Sequence, residues 1–204
     1  MLKIHILTLG AYQTNTYIIH EDAATGCCII DPGYEPERIL KTASDLGLSV
    51  EAILLTHGHF DHVGAVEKIV EATGCDLFIS RHDRELPRNP IFIPFYPLTG
   101  RAFDRITLLD RDQEIRVGDL NFRVIATPGH TCGSVCYLCE DALFSGDTLF
   151  AGGCGRSDLP GGDYTTICRS LARLAELDDT LRVFPGHGES TVLAREKQYN
   201  PYMR

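Results

Sequence analysis

Apolar and polar positions along this chain follow two periods, one near two residues and one near 3.6. Short apolar or alternating runs at residues 3–7, 15–19 and 27–30 predict strands, and Asp31-Pro32-Gly33 follows them as a turn. Over residues 37–46, Ile39, Leu40, Ala43 and Leu46 recur at helical spacing. Pro36 suits the first turn of that helix and Gly47 its end. Residues 52–55 are wholly apolar and predict a short buried strand. Val66, Ile69 and Val70 mark a second amphipathic helix over about 64–72, and residues 76–80 return as a strand.

The second half alternates in the same way. Residues 114–117 and 121–127 read as strands joined by a turn at Gly118-Asp119. Further strands are predicted at 134–138, 142–145 and 182–185. Ile167, Leu171, Leu174 and Ala175 mark a helix, and a last helix over 192–199 stops before Asn200-Pro201. Strands interleaved with helices predict an α/β fold, and 204 residues fit one domain over 1–204. Residues 81–105 break the pattern. Pro87, Pro90, Pro94 and Pro97 interrupt any regular element, yet Ile91, Phe92, Ile93, Phe95 and Tyr96 are strongly apolar. That segment reads either as a flap over a pocket or an oligomer contact through the 87–97 apolar loop, or as a loop folded onto its own core.

Charge and composition narrow the function classes. A formal net charge of −9 argues against nucleic acid, whose binders carry basic stripes. No apolar run approaches the roughly 20 residues that span a bilayer, and the first residues lack a secretory pattern. A soluble cytoplasmic protein with no membrane partner is the expectation. The eight cysteines form no small-scaffold disulfide pattern and are expected as reduced thiols. Cys136 and Cys139 have the spacing of a zinc knuckle but fall within a predicted strand. Residues three apart in a strand face opposite sides, which argues against a shared metal.

The chemistry concentrates elsewhere. His57-Gly58-His59-Phe60-Asp61-His62 packs three imidazoles and a carboxylate into six residues, directly after an apolar strand. Imidazole and carboxylate are the donors that borderline divalent metals take. Three further polar residues occur in matching contexts: His130 after Gly129, Asp147 after Gly146 and His187 after Gly186, each just past a predicted strand. If these strand ends share one edge of the fold, their side chains converge. His5, His20 and His82 read as structural.

In order along the chain, Ile30-Asp31-Pro32-Gly33, the His57–His62 cluster, Gly129-His130, Gly146-Asp147-Thr148 and Gly186-His187-Gly188 resemble the motifs of the metallo-β-lactamase superfamily. The resemblance covers essentially the whole chain and is strongest to the glyoxalase II-like, or hydroxyacylglutathione hydrolase-like, branch. It implies a four-layer αβ/βα sandwich with two mixed β-sheets. It implies two divalent ions, zinc first, with iron or manganese also suited. His57, His59 and His130 would hold one ion, Asp61, His62 and His187 the other, and Asp147 would bridge them. Asp31 would orient ligands. Arg156, within the stretch Gly152 to Gly162, would hold a substrate carboxylate through its planar fork. Asp61 and Asp147 would position a metal-bridging hydroxide as nucleophile.

Two departures shape the expected substrate. Metallo-β-lactamases proper often carry cysteine where this chain has Asp147, which disfavours β-lactams. Only 17 residues follow His187, so the helical segment with which glyoxalase II grips glutathione is expected to be missing. A thiolate leaves without prior protonation, because a free thiol has a pKa of about 8.5, whereas an amine needs a placed acid. The expected activity is therefore hydrolysis of a small acyl-thiol ester. The rival on the same scaffold is a persulfide dioxygenase-like enzyme with one iron on His57, His130 and Asp147. A nucleic-acid phosphodiesterase and a binding module with a silent metal site are weaker rivals.

Overall fold

The computed structural model describes residues 1–84, 102 and 104–204. Its first sheet is built from β1 (Leu2–Leu9), β2 (Thr14–Glu21), β3 (Gly26–Ile30), β4 (Ser49–Leu54), β5 (Asp76–Ser80) and β6 (Ile106–Leu109), in that spatial order. β1, β2 and β3 pair antiparallel, and β3 to β6 pair parallel. The parallel steps need crossovers, and helices supply them: α1 (Pro36–Asp45), then α2 (Phe60–Val63) and α3 (Val66–Thr73). A single-turn helix, α4 (Arg81–Arg84), caps the exit from β5.

The second sheet contains β7 (Gln113–Val117), β8 (Leu120–Ala126), β9 (Val135–Cys139), β10 (Ala142–Gly146), β13 (Arg182–Pro185) and β14 (Thr191–Val192). Its order is β14-β13-β10-β9-β8-β7, with only the β10 and β13 pair parallel. A small ribbon of β11 (Leu149–Phe150) and β12 (Gly153–Cys154) stands apart. The remaining helices are α5 (Tyr164–Leu174) and α6 (Leu193–Tyr199).

Strand alternation sorts the apolar side chains into layers. Tyr17, Ile19, Cys28, Ile30, Ala52 and Leu54 point inward from the first sheet and meet Phe122, Val124, Val135, Tyr137 and Phe144 of the second. Their neighbours Ile18, Ile29, Ile53 and Leu77 point the other way, onto Ile39 and Ala43 of α1 and Val66, Ile69 and Val70 of α3. On the far side, Ile125, Cys136, Leu143 and Val183 pack against Ile167, Leu171 and Leu174 of α5 and Leu193 of α6. Burying each such side chain is worth about 1.5–3 kcal/mol. The result is the expected helix–sheet–sheet–helix sandwich with two mixed sheets.

Cys136 joins the outer layer and Cys139 the inner one, as the strand argument requires. All eight cysteines are free thiols. The predicted helices over 37–46 and 64–72 are seen as Pro36–Asp45 and Val66–Thr73, with positive-φ glycines at Gly47, after the Leu46 cap, and at Gly74. The pattern does not anticipate β6, the single turns α2 and α4, or the β11–β12 ribbon. Val192, expected as the first residue of the last helix, instead pairs with β13 together with Thr191 as β14. The 87–97 loop lies outside the described residues. Among the described residues no helix is long and apolar enough to cross a membrane.

Buried hydrogen bonds between the sheets bring their strand ends to one edge. Tyr17 Oη donates to Pro185 O at 2.5 Å, and Tyr137 Oη donates to Leu55 O at 2.8 Å. Asn15 N reaches Gly186 O at 2.7 Å, and Val135 N reaches Thr56 O at 2.9 Å. Each group would be costly to bury unpaired, so these contacts fix how the two sheets register.

Candidate metal centre

At that edge the chain turns sharply off β4, β8, β10 and β13, and each turn presents one or more of the candidate ligands. His57 and His59 follow β4, Asp61 and His62 lie on α2, His130 follows β8, Asp147 follows β10 and His187 follows β13. The structure brings all seven together. Donor atoms of His57, His59 and His130 lie within 4.8 Å of one another, as do those of Asp61, His62 and His187. Asp147 stands between the two groups. Its Oδ2 lies 3.4 Å from His130 Nε2 and 3.5 Å from His187 Nε2, and its Oδ1 lies 3.4 Å from His62 Nε2.

Hydrogen bonds behind the rings decide which nitrogens face inward. His130 Nδ1 meets Arg156 O at 2.7 Å, and His187 Nδ1 meets Tyr12 O at 3.1 Å. A carbonyl only accepts, so both Nδ1 atoms carry hydrogen; Nε2 is the atom each ring turns toward the cluster, and it presents a lone pair to metal once the ring is neutral. Asp31 works behind both groups. Its Oδ2 accepts from His62 Nδ1 at 2.9 Å and from Thr56 Oγ1 at 2.6 Å, and its Oδ1 accepts from Thr56 N at 2.8 Å. Thr56 Oγ1 has spent its hydrogen on Asp31, so it accepts from His57 Nδ1 at 3.0 Å. Asp31 therefore orients His62 directly and His57 through Thr56.

The donor set fits divalent metal. His57 Nε2 and Asp147 Oδ1 are buried with no hydrogen-bond partner among the described residues. His62 Nε2 and His187 Nε2 face each other at 3.3 Å, which only a shared cation or proton makes favourable. A Cβ at Gly186 would lie 2.2 Å from Asp147 Oδ1 and 2.7 Å from His62 Cε1, so glycine keeps that space open.

The two groups differ in proton affinity. Burial, then the neighbouring imidazoles, hold His57 well below the usual histidine value and bring His59 down to about 3. Burial also pulls down on His62 and His187, but carboxylates prevail there. His187 is raised to about 10 by Asp147 and Asp61, and His62 is raised by Asp147 and Asp31. Burial pushes Asp147 up, yet His62, His187 and His130 together hold it well below the ordinary carboxylate range.

A cleft of about 600 Å³ opens over the cluster, lined also by Tyr12, Phe60, Phe150, Arg156 and Leu159. Tyr12 and Phe60 meet edge to face with ring centroids 5.1 Å apart. Arg156 lines this cleft, but its fork is already paired with Asp158 through two contacts of 2.8 Å. Its backbone carbonyl, unforeseen from sequence, is what orients His130. Asp83 was also missed. It is 3% exposed and accepts from Gly58 N, Thr131 Oγ1 and Gly133 N at 2.8, 2.8 and 2.7 Å. Its place just past β5 resembles that of the ligands past other strands, and that position was the available signal. His5 and His20 lie apart from the cluster, their Nε2 atoms 3.1 Å from each other.

A model of the metallo-beta-lactamase superfamily matches residues 9–187. The hydroxyacylglutathione hydrolase GloC of Haemophilus influenzae is 32% identical over 219 residues, spanning 99% of this chain and 98% of that protein. Among solved structures, the BLEG-1 B3 metallo-beta-lactamase superposes with a TM-score of 0.85 at 31% identity, over 100% of this chain and 99% of that one. TTHA1623 in a di-iron-bound form gives a TM-score of 0.83 at 38% identity, over 97% and 99% of the two chains.

Proposed function

The chain belongs to the metallo-beta-lactamase superfamily, and from that premise we propose that it is a binuclear metal-dependent hydrolase that cleaves small acyl-thiol esters. The observation that carries this reading is the position of Asp147, whose oxygens lie 3.4–3.5 Å from histidines of both groups. In this reading His57, His59 and His130 hold one ion, Asp61, His62 and His187 the other, and Asp147 is shared. Two divalent ions, when bound, would supply hydroxide at neutral pH and polarise the substrate carbonyl. The donor set suits zinc and iron alike, and the di-iron form of TTHA1623 supports testing both.

The protein's own groups set direction and selectivity. Asp61 and Asp147 aim the nucleophile, and Thr14 Oγ1, 3.4 Å from Asp61 Oδ2, limits how Asp61 turns. Among the described lining residues no carboxylic acid or imidazole stands outside the cluster itself to protonate a leaving amine. A thiolate needs no such acid. Tyr12, Phe60, Phe150 and Leu159 give the cleft an apolar wall for the acyl chain. Arg156 would take a substrate carboxylate by exchanging it for Asp158. The likeness to GloC supports a hydroxyacyl thioester.

The test starts from protein purified without added metal. Elemental analysis is followed by a panel of thioesters, β-lactams and a persulfide with oxygen uptake recorded. Thioester turnover with two ions per chain is expected. A fully metallated protein that leaves every thioester intact sinks the proposal. Oxygen uptake on the persulfide with a single iron would instead support the oxygenase.

A further inference from the structure

Asp83 is a buried carboxylate with no role in the reading above. It lies on α4, outside the seven candidate ligands, and is 3% exposed. Burying a carboxylate is costly, and burial here lifts its pKa to about 6 despite the hydrogen bonds that favour ionisation. A carboxylate so placed must hold something that a neutral side chain could not.

Its contacts say what it holds. Gly58 is the residue between His57 and His59, and Thr131 directly follows His130. A single atom, Asp83 Oδ2, accepts from Gly58 N and from Thr131 Oγ1, both at 2.8 Å. The other oxygen accepts from Gly133 N at 2.7 Å. Thr131 Oγ1 also lies 2.7 Å from Ser134 Oγ, which closes the 131–134 turn. All three partners of Asp83 are N–H or O–H groups presented as donors, so a carboxylate satisfies every one. An amide would set its NH2 against at least one of them. Gly133 is packed so closely that a Cβ there would lie 2.3 Å from Asp83 Oδ1 and 2.5 Å from Asp83 N.

We propose that Asp83 is a positioning residue that clamps the loop of His57 and His59 to the loop of His130 and so sets the spacing of the three-imidazole metal site. This rests on the metal-centre reading and adds to it a residue whose hydrogen bonds, among the described residues, reach no ligand side chain. Among the described residues its hydrogen bonds go to Gly58, Thr131 and Gly133, and none goes to Asp61, His62 or His187. Its effect should therefore fall on one site and not the other. An outer partner of a metal ligand is typically worth about 10–100-fold in metal affinity.

The test measures cobalt(II) affinity by chelator competition, together with the visible absorption of the bound ion. Two backgrounds isolate the sites: His187→Ala leaves the three-imidazole group intact, and His57→Ala leaves the Asp61, His62 and His187 group intact. Asp83→Asn should weaken cobalt at least about tenfold in the first background and shift its absorption bands. In the second background it should change affinity less than about twofold. Thr131→Val should act in the same direction with a smaller loss, and Thr131→Ser should restore the original affinity. Gly133→Ala displaces the carboxylate without removing its charge, and it serves as the second probe if Asp83→Asn does not fold. Equal losses in both backgrounds, or none in the first, overturn the proposal. Failure of the unsubstituted protein to bind cobalt at all would overturn the metal-centre reading itself, and the two failures are distinguishable.

Discussion

The two halves of the candidate centre both rely on histidines, yet those histidines rest in opposite proton states. His57, His59 and His130 are buried together, and burial keeps protons off them. Asp61, His62 and His187 include a carboxylate, lie against Asp147, and end in a histidine with a side chain 26% exposed. There the carboxylates draw a proton onto His187 and raise it to about 10. The first half is already neutral and ready for metal at pH 7. The second must give up a proton first. A histidine's proton affinity is set less by its residue type than by the carboxylates and imidazoles around it.

Removing the residue common to both halves should have the largest effect. Asp147→Ala is expected to lower thioester turnover by more than the roughly 10–100-fold typical of an outer partner, and to reduce metal content at both sites. A variant that retains two ions and near-normal kcat would show that the halves do not share this carboxylate.

Asp31→Asn comes next, at about 10–100-fold in metal affinity. Asparagine tolerates the φ of 49° that Asp31 adopts, so the backbone should survive. Because Asp31 reaches His62 directly and His57 through Thr56, both sites should weaken. A loss confined to one site would break that symmetry, and the contrast with Asp83→Asn sharpens the comparison.

Arg156→Ala probes the cleft rather than the ions. Loss of its charge-assisted contact should raise KM roughly tenfold for an acidic thioester, with kcat little changed. A neutral thioester should be unaffected. Equal KM values for both substrates would remove Arg156 from recognition.

The smallest effect is a count of protons. At pH 8 His187 is protonated in the metal-free protein, since its pKa is raised from 6.5 to about 10. Filling its site should release at least the His187 proton, whereas filling the three-imidazole site should release none from its ligands. Calorimetry in buffers of different ionisation enthalpy reads this directly. The same shifts give opposite stability trends. His187 stabilises the metal-free fold below 6.5, and that contribution is lost as pH rises toward about 10. His59 works the other way, its stability present above 6.5 and lost as pH falls toward about 3. Parallel pH profiles for the His187→Ala and His59→Ala variants would contradict this.

Much of this molecule can be read from one-dimensional pattern. Unbroken apolar runs at 27–30 and 52–54 predict strands buried on both faces, and helical spacing at Ile39, Ala43, Ile69 and Val70 predicts what covers the outer one. The His57 to His62 spacing marks the candidate centre because donors that close must act locally. β6 was hidden because its apolar residues adjoin a proline-rich stretch, and only its parallel pairing with β5 identifies it as a strand.

Local sequence determined periodicity, the order of elements and the kinds of donor at each strand end. Only the tertiary structure decided how those ends meet. It turned Asp83 from a loop residue into a clamp, engaged Arg156 with Asp158, and gave like histidines opposite proton affinities. The reason is range: propensity and spacing act over a few residues, whereas burial, charge and hydrogen-bond geometry depend on groups far apart in the chain.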